Sequence, residues 1–117
     1  MKNSLSRLLA LVVTLSISMS GASRTGNLLQ AVCVDEDNRH NMTTCQAYIN
    51  GATDSHHLIR EMYKLDYLYC TPDNVTIGQK VKVVSKYLEN HPEQLHELAV
   101  GLVYLALNGA FPCEDGQ

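Results

Sequence analysis

The sequence predicts a small all-α domain, a bundle of about four helices held by disulfide bonds. Two observations support this prediction. Apolar residues recur at helical spacing in segments that have recognisable start and stop signals. The four cysteines are an even number in a short chain that begins like an exported protein. A chain of 117 residues is long enough for one small domain with a modest core.

Residues 1–22 have the pattern of a secretory signal peptide. Basic residues precede an apolar run over 8–17, and small residues follow at 20–22. A membrane span needs about 20 apolar residues, roughly twice the length of this run. We therefore predict cleavage near residue 22, a mature helical domain over 23–117 and no membrane association after cleavage. Cleavage leaves seven basic and twelve acidic residues, a net charge that disfavours nucleic acid as a partner.

The clearest helix signals lie between Cys70 and Cys113. The segment from Thr76 to Gln79 is a capping box, which predicts a helix start. The helix should end just before Pro92, because the residue that precedes a proline is pushed out of the α region. Its predicted apolar face consists of Ile77, Val81, Val84 and Leu88.

A partner helix is predicted to begin at Pro92, where the missing N–H costs nothing. It should end in a left-handed turn at Asn108-Gly109. The two helices would then form a hairpin. The predicted buried stripe of the second helix consists of Leu95, Leu98, Leu102, Leu105 and Ala106.

Two further helices are predicted upstream. A short one lies between residue 23 and Cys33, with Thr25 as its N-cap. A long one begins near Asn41 or at the capping box of Thr43, and fades near Lys64.

The long helix contains Gly51, which costs about 1 kcal/mol relative to alanine in a helix. We therefore predict that Gly51 lets another helix approach closely. The predicted apolar face of the long helix consists of Tyr48, Ile49, Ala52, Leu58, Ile59 and Met62.

Cys33, Cys45, Cys70 and Cys113 all follow the predicted cleavage site, and four cysteines allow three pairings. A zinc site would need closely spaced ligands such as C-x-x-C, which the sequence lacks. We favour a Cys33–Cys45 bond that clips a helix–loop–helix turn, and a Cys70–Cys113 bond across the base of the hairpin. We expect no metal and no cofactor.

Six residues are candidates for contact with a protein partner. The three tyrosines Tyr63, Tyr67 and Tyr69 are either interface anchors or the edge of a small core, and both interpretations stay open. Three acidic residues in one loop are either rim charges of an interface or a solvated connector, and the connector is the simpler interpretation. They are Asp35, Glu36 and Asp37.

The sequence does not predict an enzyme. Cysteines in disulfides cannot act as nucleophiles. His56 and His57 are adjacent, so on a helix they point about 100° apart and cannot share a metal. His96 has no H-E-x-x-H partner on its helix.

Four motifs occur along the chain in a fixed order, together with the four cysteines. They are C-x-x-Y-I-x-G-x-x-D over 45–54, C-x-P-x-x-V-T over 70–76, Y-L-x-x-H-P over 87–92 and A-F-P-C over 110–113. In this order they resemble the Rap/Tai family of periplasmic immunity proteins of bacterial type VI secretion.

The resemblance implies a periplasmic, all-helical protein without chemistry of its own. Members of that family bind a cell-wall amidase effector, a Cys–His peptidase that cuts peptidoglycan stem peptides, and block its active site, commonly as dimers. The residues that recognise a particular effector are expected in the 34–44 loop, in 55–69 and at exposed helix positions.

Two alternatives remain. One is a small disulfide-bonded periplasmic chaperone of acid stress, for which five histidines and twelve acidic residues would supply the pH response. Two disulfides argue against the loosening that such a chaperone needs. The other is a secreted eukaryotic helical factor, based on the sequons at Asn41 and Asn74. Helix-start chemistry already explains both tripeptides.

Overall fold

The computed structural model describes residues 24–114, and the predicted signal peptide lies outside this part of the chain. The all-α prediction is confirmed. The helices are α1 (Gly26–Cys33), α2 (Arg39–Tyr63), α3 (Ile77–Asn90) and α4 (Ala99–Ala110), with a 3-10 turn over Pro92–Gln94. Within residues 24–114, no helix is long and apolar enough to cross a lipid bilayer.

Helix α3 follows its sequence signals closely. The Thr76 hydroxyl accepts a hydrogen bond from the Gln79 N–H at 3.2 Å, and the Gln79 side chain accepts one from the Thr76 N–H at 2.7 Å. This is the predicted capping box. The core-facing residues of α3 repeat at helical spacing, so the predicted face is also confirmed. The fully buried residues are Val81, Val84 and Leu88, with Ile77 partly buried beside them.

The predicted disulfide pairing is correct. Cys33–Cys45 joins the end of α1 to α2, with a Cα–Cα distance of 5.0 Å. Cys70–Cys113 joins the segment before α3 to the segment after α4, with a Cα–Cα distance of 4.8 Å. The first bond therefore ties α1 to α2 beside their connecting loop, and the second closes the open end of the pair α3 and α4.

The predicted start of α4 at Pro92 is wrong, because the helix begins at Ala99. The intervening backbone instead pairs with the beginning of the described chain. The N–H groups of Gly26 and Asn27 donate to the Glu97 and Leu95 carbonyls at 3.0 and 2.8 Å. The Ala99 N–H returns a bond to the Arg24 carbonyl at 2.8 Å. We call this the N-terminal pairing.

This pairing changes which leucines are buried. Leu95 and Leu102 lie in the core as predicted, but Leu98 and Leu105 are 56% and 53% exposed. The predicted left-handed stop at Gly109 is also absent, since α4 continues to Ala110. There the Phe111 N–H donates to the Leu107 carbonyl at 2.8 Å and ends the helix.

The start of α2 was predicted too late. Its N-cap is Asn38, whose side chain accepts from the Asn41 N–H at 3.1 Å. The Thr43 hydroxyl donates to the Arg39 carbonyl at 2.8 Å, as a threonine inside a helix does. Thr43 is therefore not a capping residue. The predicted end near Lys64 is correct.

The predicted packing role of Gly51 is wrong. Gly51 is exposed, and a Cβ atom placed there would meet nothing within 4 Å. The glycine that permits close packing is Gly26. A Cβ on Gly26 would overlap the Leu102 side chain and lie 3.1 Å from the Leu95 backbone.

Gly51→Ala should therefore stabilise the protein, by up to about 1 kcal/mol, because alanine is the better residue in an exposed helix interior. Urea unfolding of the variant beside the parent measures this difference. A loss of stability would mean that the position contacts another element after all.

Candidate partner-binding surface

Helix α2 is longer than the core that it covers. Its buried residues occur at helical spacing and stop at His56. The last turns of the helix, over 57–63, therefore extend beyond the core. The residues that face the core are Cys45, Ile49, Ala52, Thr53 and His56.

The predicted apolar face of α2 is correct for Ile49 and Ala52 and wrong for its second half. Thr53 and His56 occupy the buried side there, each 3% exposed. The spacing of 49, 52, 53 and 56 is that of one helix face. That signal was present in the sequence, but the polarity of both side chains concealed it.

Large apolar side chains consequently lie on the surface at this end of the molecule. We call them the distal patch: Leu58, Ile59, Met62, Tyr63, Leu65 and Leu68. Met62 is 64% exposed and Tyr63 is 68% exposed. The four helical members form two i, i+4 pairs and so share one side of α2. A concentration of exposed apolar residues of this kind marks an interaction site.

A sharp turn ends α2 and returns the chain along the helix. Lys64 adopts the left-handed conformation, with φ 52° and ψ 45°. The Leu65 N–H then donates to the Arg60 carbonyl at 3.0 Å, which satisfies a free carbonyl at the helix end. The turn brings the returning chain alongside the last turns of α2, where the Tyr67 hydroxyl bonds to Glu61.

The returning segment, residues 65–69, is held from both sides at Leu68. The Leu68 N–H donates to Nε2 of His56 on α2 at 3.2 Å. The Leu68 carbonyl accepts from the Asn108 side chain on α4. Since the next residue but one is Cys70, the segment is fixed at its far end by a disulfide.

An aromatic cluster joins this segment to α2 and α4. His56 stacks on Tyr69 with ring centroids 4.5 Å apart, and Tyr67 and Tyr104 lie at 5.5 and 5.4 Å. Burial lowers the pKa of His56, and the nearby charges of Arg60 and His57 lower it further. Burial also raises the pKa of Tyr69 to about 12, with smaller contributions from Tyr104 and Asp54. Both rings are therefore neutral at pH 7.

The structure places the three candidate tyrosines at three different depths. Tyr63 projects into solvent within the distal patch. Tyr67 is half-buried, and its hydroxyl donates to the Glu61 carboxylate, a bond that raises the pKa of Tyr67. Tyr69 is 2% exposed and belongs to the core. A partner could reach Tyr63 and Tyr67 directly, whereas Tyr69 supports the surface from below.

The acidic candidates lie elsewhere. Asp35, Glu36 and Asp37 are exposed before the start of α2, and the Asn41 side chain donates to Asp35 at 3.0 Å. The length of α2 separates its first residue from Tyr63 by about 36 Å, at 1.5 Å per residue. The structure therefore does not bring the acidic loop and the tyrosines into one cluster.

All four cysteines are paired, and residues 24–114 contain no group of three or more His, Cys, Asp or Glu side chains placed to hold a metal ion. The features that stand out in this part of the chain are instead an apolar projection and the clamp that positions it. This arrangement suits contact with another macromolecule.

Comparison with known proteins gives one match. The family model of the Rap1a immunity proteins matches residues 25–113, a range that includes all four helices and both disulfides. No curated protein and no solved structure matches the chain. The chain therefore belongs to the family of Rap1a immunity proteins.

Proposed function

We propose that this protein acts in the periplasm, where it binds a type VI secreted peptidoglycan amidase and blocks its active site, so that the producing cell is protected. Membership of an immunity family supports a secreted effector as the partner. The motifs shared with the Rap/Tai proteins support an amidase in particular. The structural observation that carries the proposal is the distal patch.

The distal patch has the composition of a binding surface. It combines a tyrosine, an adaptable methionine and leucines in one exposed area. Exposed charges stand beside it, since Lys64 and Glu61 lie 4.0 Å apart on the same turn. An apolar centre with a polar rim is the usual arrangement in protein interfaces.

The shape of the patch also suits a cleft. The last turns of α2 form a projection rather than a flat face, and the returning segment supports it. Because the clamp at Leu68 and the Cys70–Cys113 bond fix that segment, little conformational freedom is lost on binding. A projection of this kind inhibits an enzyme by occupying its cleft and needs no catalytic residue.

The acidic loop has a different part in the proposal. Asp35, Glu36 and Asp37 lie too far from the patch to form its rim, so they would act on the encounter with a basic partner. The homodimer that the family resemblance implies stays a prediction, which sedimentation of the free protein tests.

We expect the double variant Met62→Ala/Tyr63→Ala to bind its amidase about 30-fold or more weakly, equivalent to about 2 kcal/mol, because exposed aromatic anchors commonly carry that much of an interface. Both side chains are mainly exposed, so the fold should be retained. Calorimetric titration with a type VI peptidoglycan amidase from the same genome, with its catalytic cysteine replaced, gives the affinity. The matched control is Leu105→Ala, a comparably exposed leucine on α4 outside the patch.

The outcomes separate the parts of the proposal. If the parent protein neither binds nor inhibits the amidase, the amidase assignment fails. If the parent binds but the double variant binds equally well, the contact surface lies elsewhere. If Leu105→Ala then binds the amidase more weakly than the parent does, the contact surface includes α4.

A further inference from the structure

His56 holds the returning segment through an atom that can take up a proton. Its Nε2 accepts the bond from the Leu68 N–H, so in the neutral ring the hydrogen must lie on Nδ1. Nδ1 is buried and has no hydrogen-bond partner within residues 24–114. The ring is therefore held by a single hydrogen bond, and its Nδ1–H group is buried without an acceptor.

The surroundings of His56 do not favour a positive charge. On α2 the titratable or charged neighbours of the cluster are His57 and Arg60 beside His56, and Asp54 beside Tyr69; no carboxylate is hydrogen-bonded to the His56 ring in the described structure. The rings that face His56 from the returning segment and from α4 are neutral. They are Tyr67, Tyr69 and Tyr104. Stacking of a protonated ring on Tyr69 would return less free energy than an unpaired buried charge costs.

Protonation would place a second N–H against the Leu68 N–H. Two donors cannot share a hydrogen bond, so the Leu68 contact would be lost. The charged ring would also need water or a carboxylate, and no carboxylate is hydrogen-bonded to it within residues 24–114. If His56 and residues 65–69 separate, the two N–H groups no longer face each other and the charged ring becomes exposed to water.

We propose that His56 is a proton-sensitive latch: mild acid releases residues 65–69 from α2 and thereby dismantles the part of the distal patch that Leu65 and Leu68 form. The inference rests on the proposed function in one respect: the release alters the surface that we propose binds the effector. The release itself is a property of the free protein.

The direction follows from linkage. In the open state His56 has the ordinary histidine pKa of about 6.5, and in the closed state its pKa is lower. Opening therefore takes up a proton as the pH falls below about 6.5, and the open population rises by at most about tenfold per pH unit. Above that range both states are neutral at His56, and the latch is insensitive to pH.

Hydrogen exchange of the Leu68 amide tests the latch in the oxidised protein over residues 23–117. We expect its protection factor, corrected for intrinsic exchange, to fall about tenfold or more between pH 7.5 and pH 5.0. In His56→Gln the side-chain oxygen can still accept from Leu68 but does not titrate, so protection should stay constant. The control His40→Gln removes an exposed histidine from the first turn of α2 and should behave as the parent.

Unchanged Leu68 protection in the parent at pH 5.0 would overturn the latch, as would an equal loss in His56→Gln. If His56→Gln does not fold, the ring of His56 is titrated by NMR in the parent. Protonation that coincides with loss of Leu68 protection supports the latch, and protonation with Leu68 still protected overturns it. Amidase binding is measured separately, so a protein that binds no amidase at either pH refutes the proposed function without altering the exchange result.

Discussion

Replacing Cys70 and Cys113 by serine should lower the free energy of unfolding by about 4 kcal/mol, and replacing Cys33 and Cys45 should lower it by about 3 kcal/mol. The reason is loop length. The bonds close segments with sequence separations of 43 and 12 residues, and the longer loop restricts the unfolded chain more. A loss of about 4 kcal/mol is a large part of the total stability of a small domain.

Urea unfolding of the parent and of the two paired serine variants measures both losses under one set of conditions. The pairs serve as controls for each other, because each removes two cysteines and one bond. Equal midpoints would contradict the ranking and would mean that the unfolded chain is not the main origin of the stabilisation.

Gly26→Val should lower the free energy of unfolding by about 3 kcal/mol, because the added carbons overlap a backbone segment that cannot move away. The Leu102 side chain can rotate away, but the Leu95 backbone, 3.1 Å from the position of the Cβ, is fixed by the N-terminal pairing. Relief would require those backbone hydrogen bonds to break. The loss should therefore appear both in stability and in the exchange rates of the Gly26 and Asn27 amides.

Gly101→Val is the matched control for this prediction. Gly101 also lies in a helix, but a Cβ there meets nothing within 4 Å, so the change affects helix propensity alone. We expect a difference of less than about 1 kcal/mol from the parent. If Gly26→Val and Gly101→Val lose the same amount of stability, steric contact at Gly26 is not the cause of the loss.

The parts of the fold that the sequence predicts well depend on nearby residues. The capping box of α3 joins Thr76 to Gln79, and the face of α3 repeats within a few turns. The Cys70–Cys113 pairing followed from recognising that α3 and its partner helix form a hairpin. The first two inferences use signals that one segment carries by itself, and the third combines two consecutive helices with the positions of the cysteines that flank them.

The late start predicted for α2 missed a local N-cap at Asn38, but other wrong predictions involve partners that are distant in the sequence. Pro92 has the features of a helix start, but the chain stays extended near Leu98 because Thr25 pairs with it. Gly51 and Gly26 are both helical glycines, and only the position of the second helix shows which one is crowded. Periodicity within a segment cannot supply that information.

The candidate site shows the same difference between local signals and contacts that are distant in the sequence. Tyr63 was identified from residue type, since exposed tyrosines are typical interface anchors. Leu58 and Met62 were assigned to the core because periodicity shows that a helix is amphipathic but does not show where the neighbouring helices end. His56 was set aside because it cannot share a metal with His57, whereas the structure places it in contact with Leu68, twelve residues away.

The N-terminal pairing has a consequence for the order in which the molecule assembles. The side chain of Asn27 bonds to the Leu95 carbonyl, across a sequence separation of 68 residues. In a chain that emerges from its N-terminus, α1 can pack on α2 early, but the N-terminal pairing has no partner until residue 99 has followed, and closing so long a loop is slow. The Cys33–Cys45 bond needs only local diffusion and can form before that point. The Cys70–Cys113 bond cannot form until the chain is almost complete, so in a chain that emerges from its N-terminus the two bonds close in a fixed order.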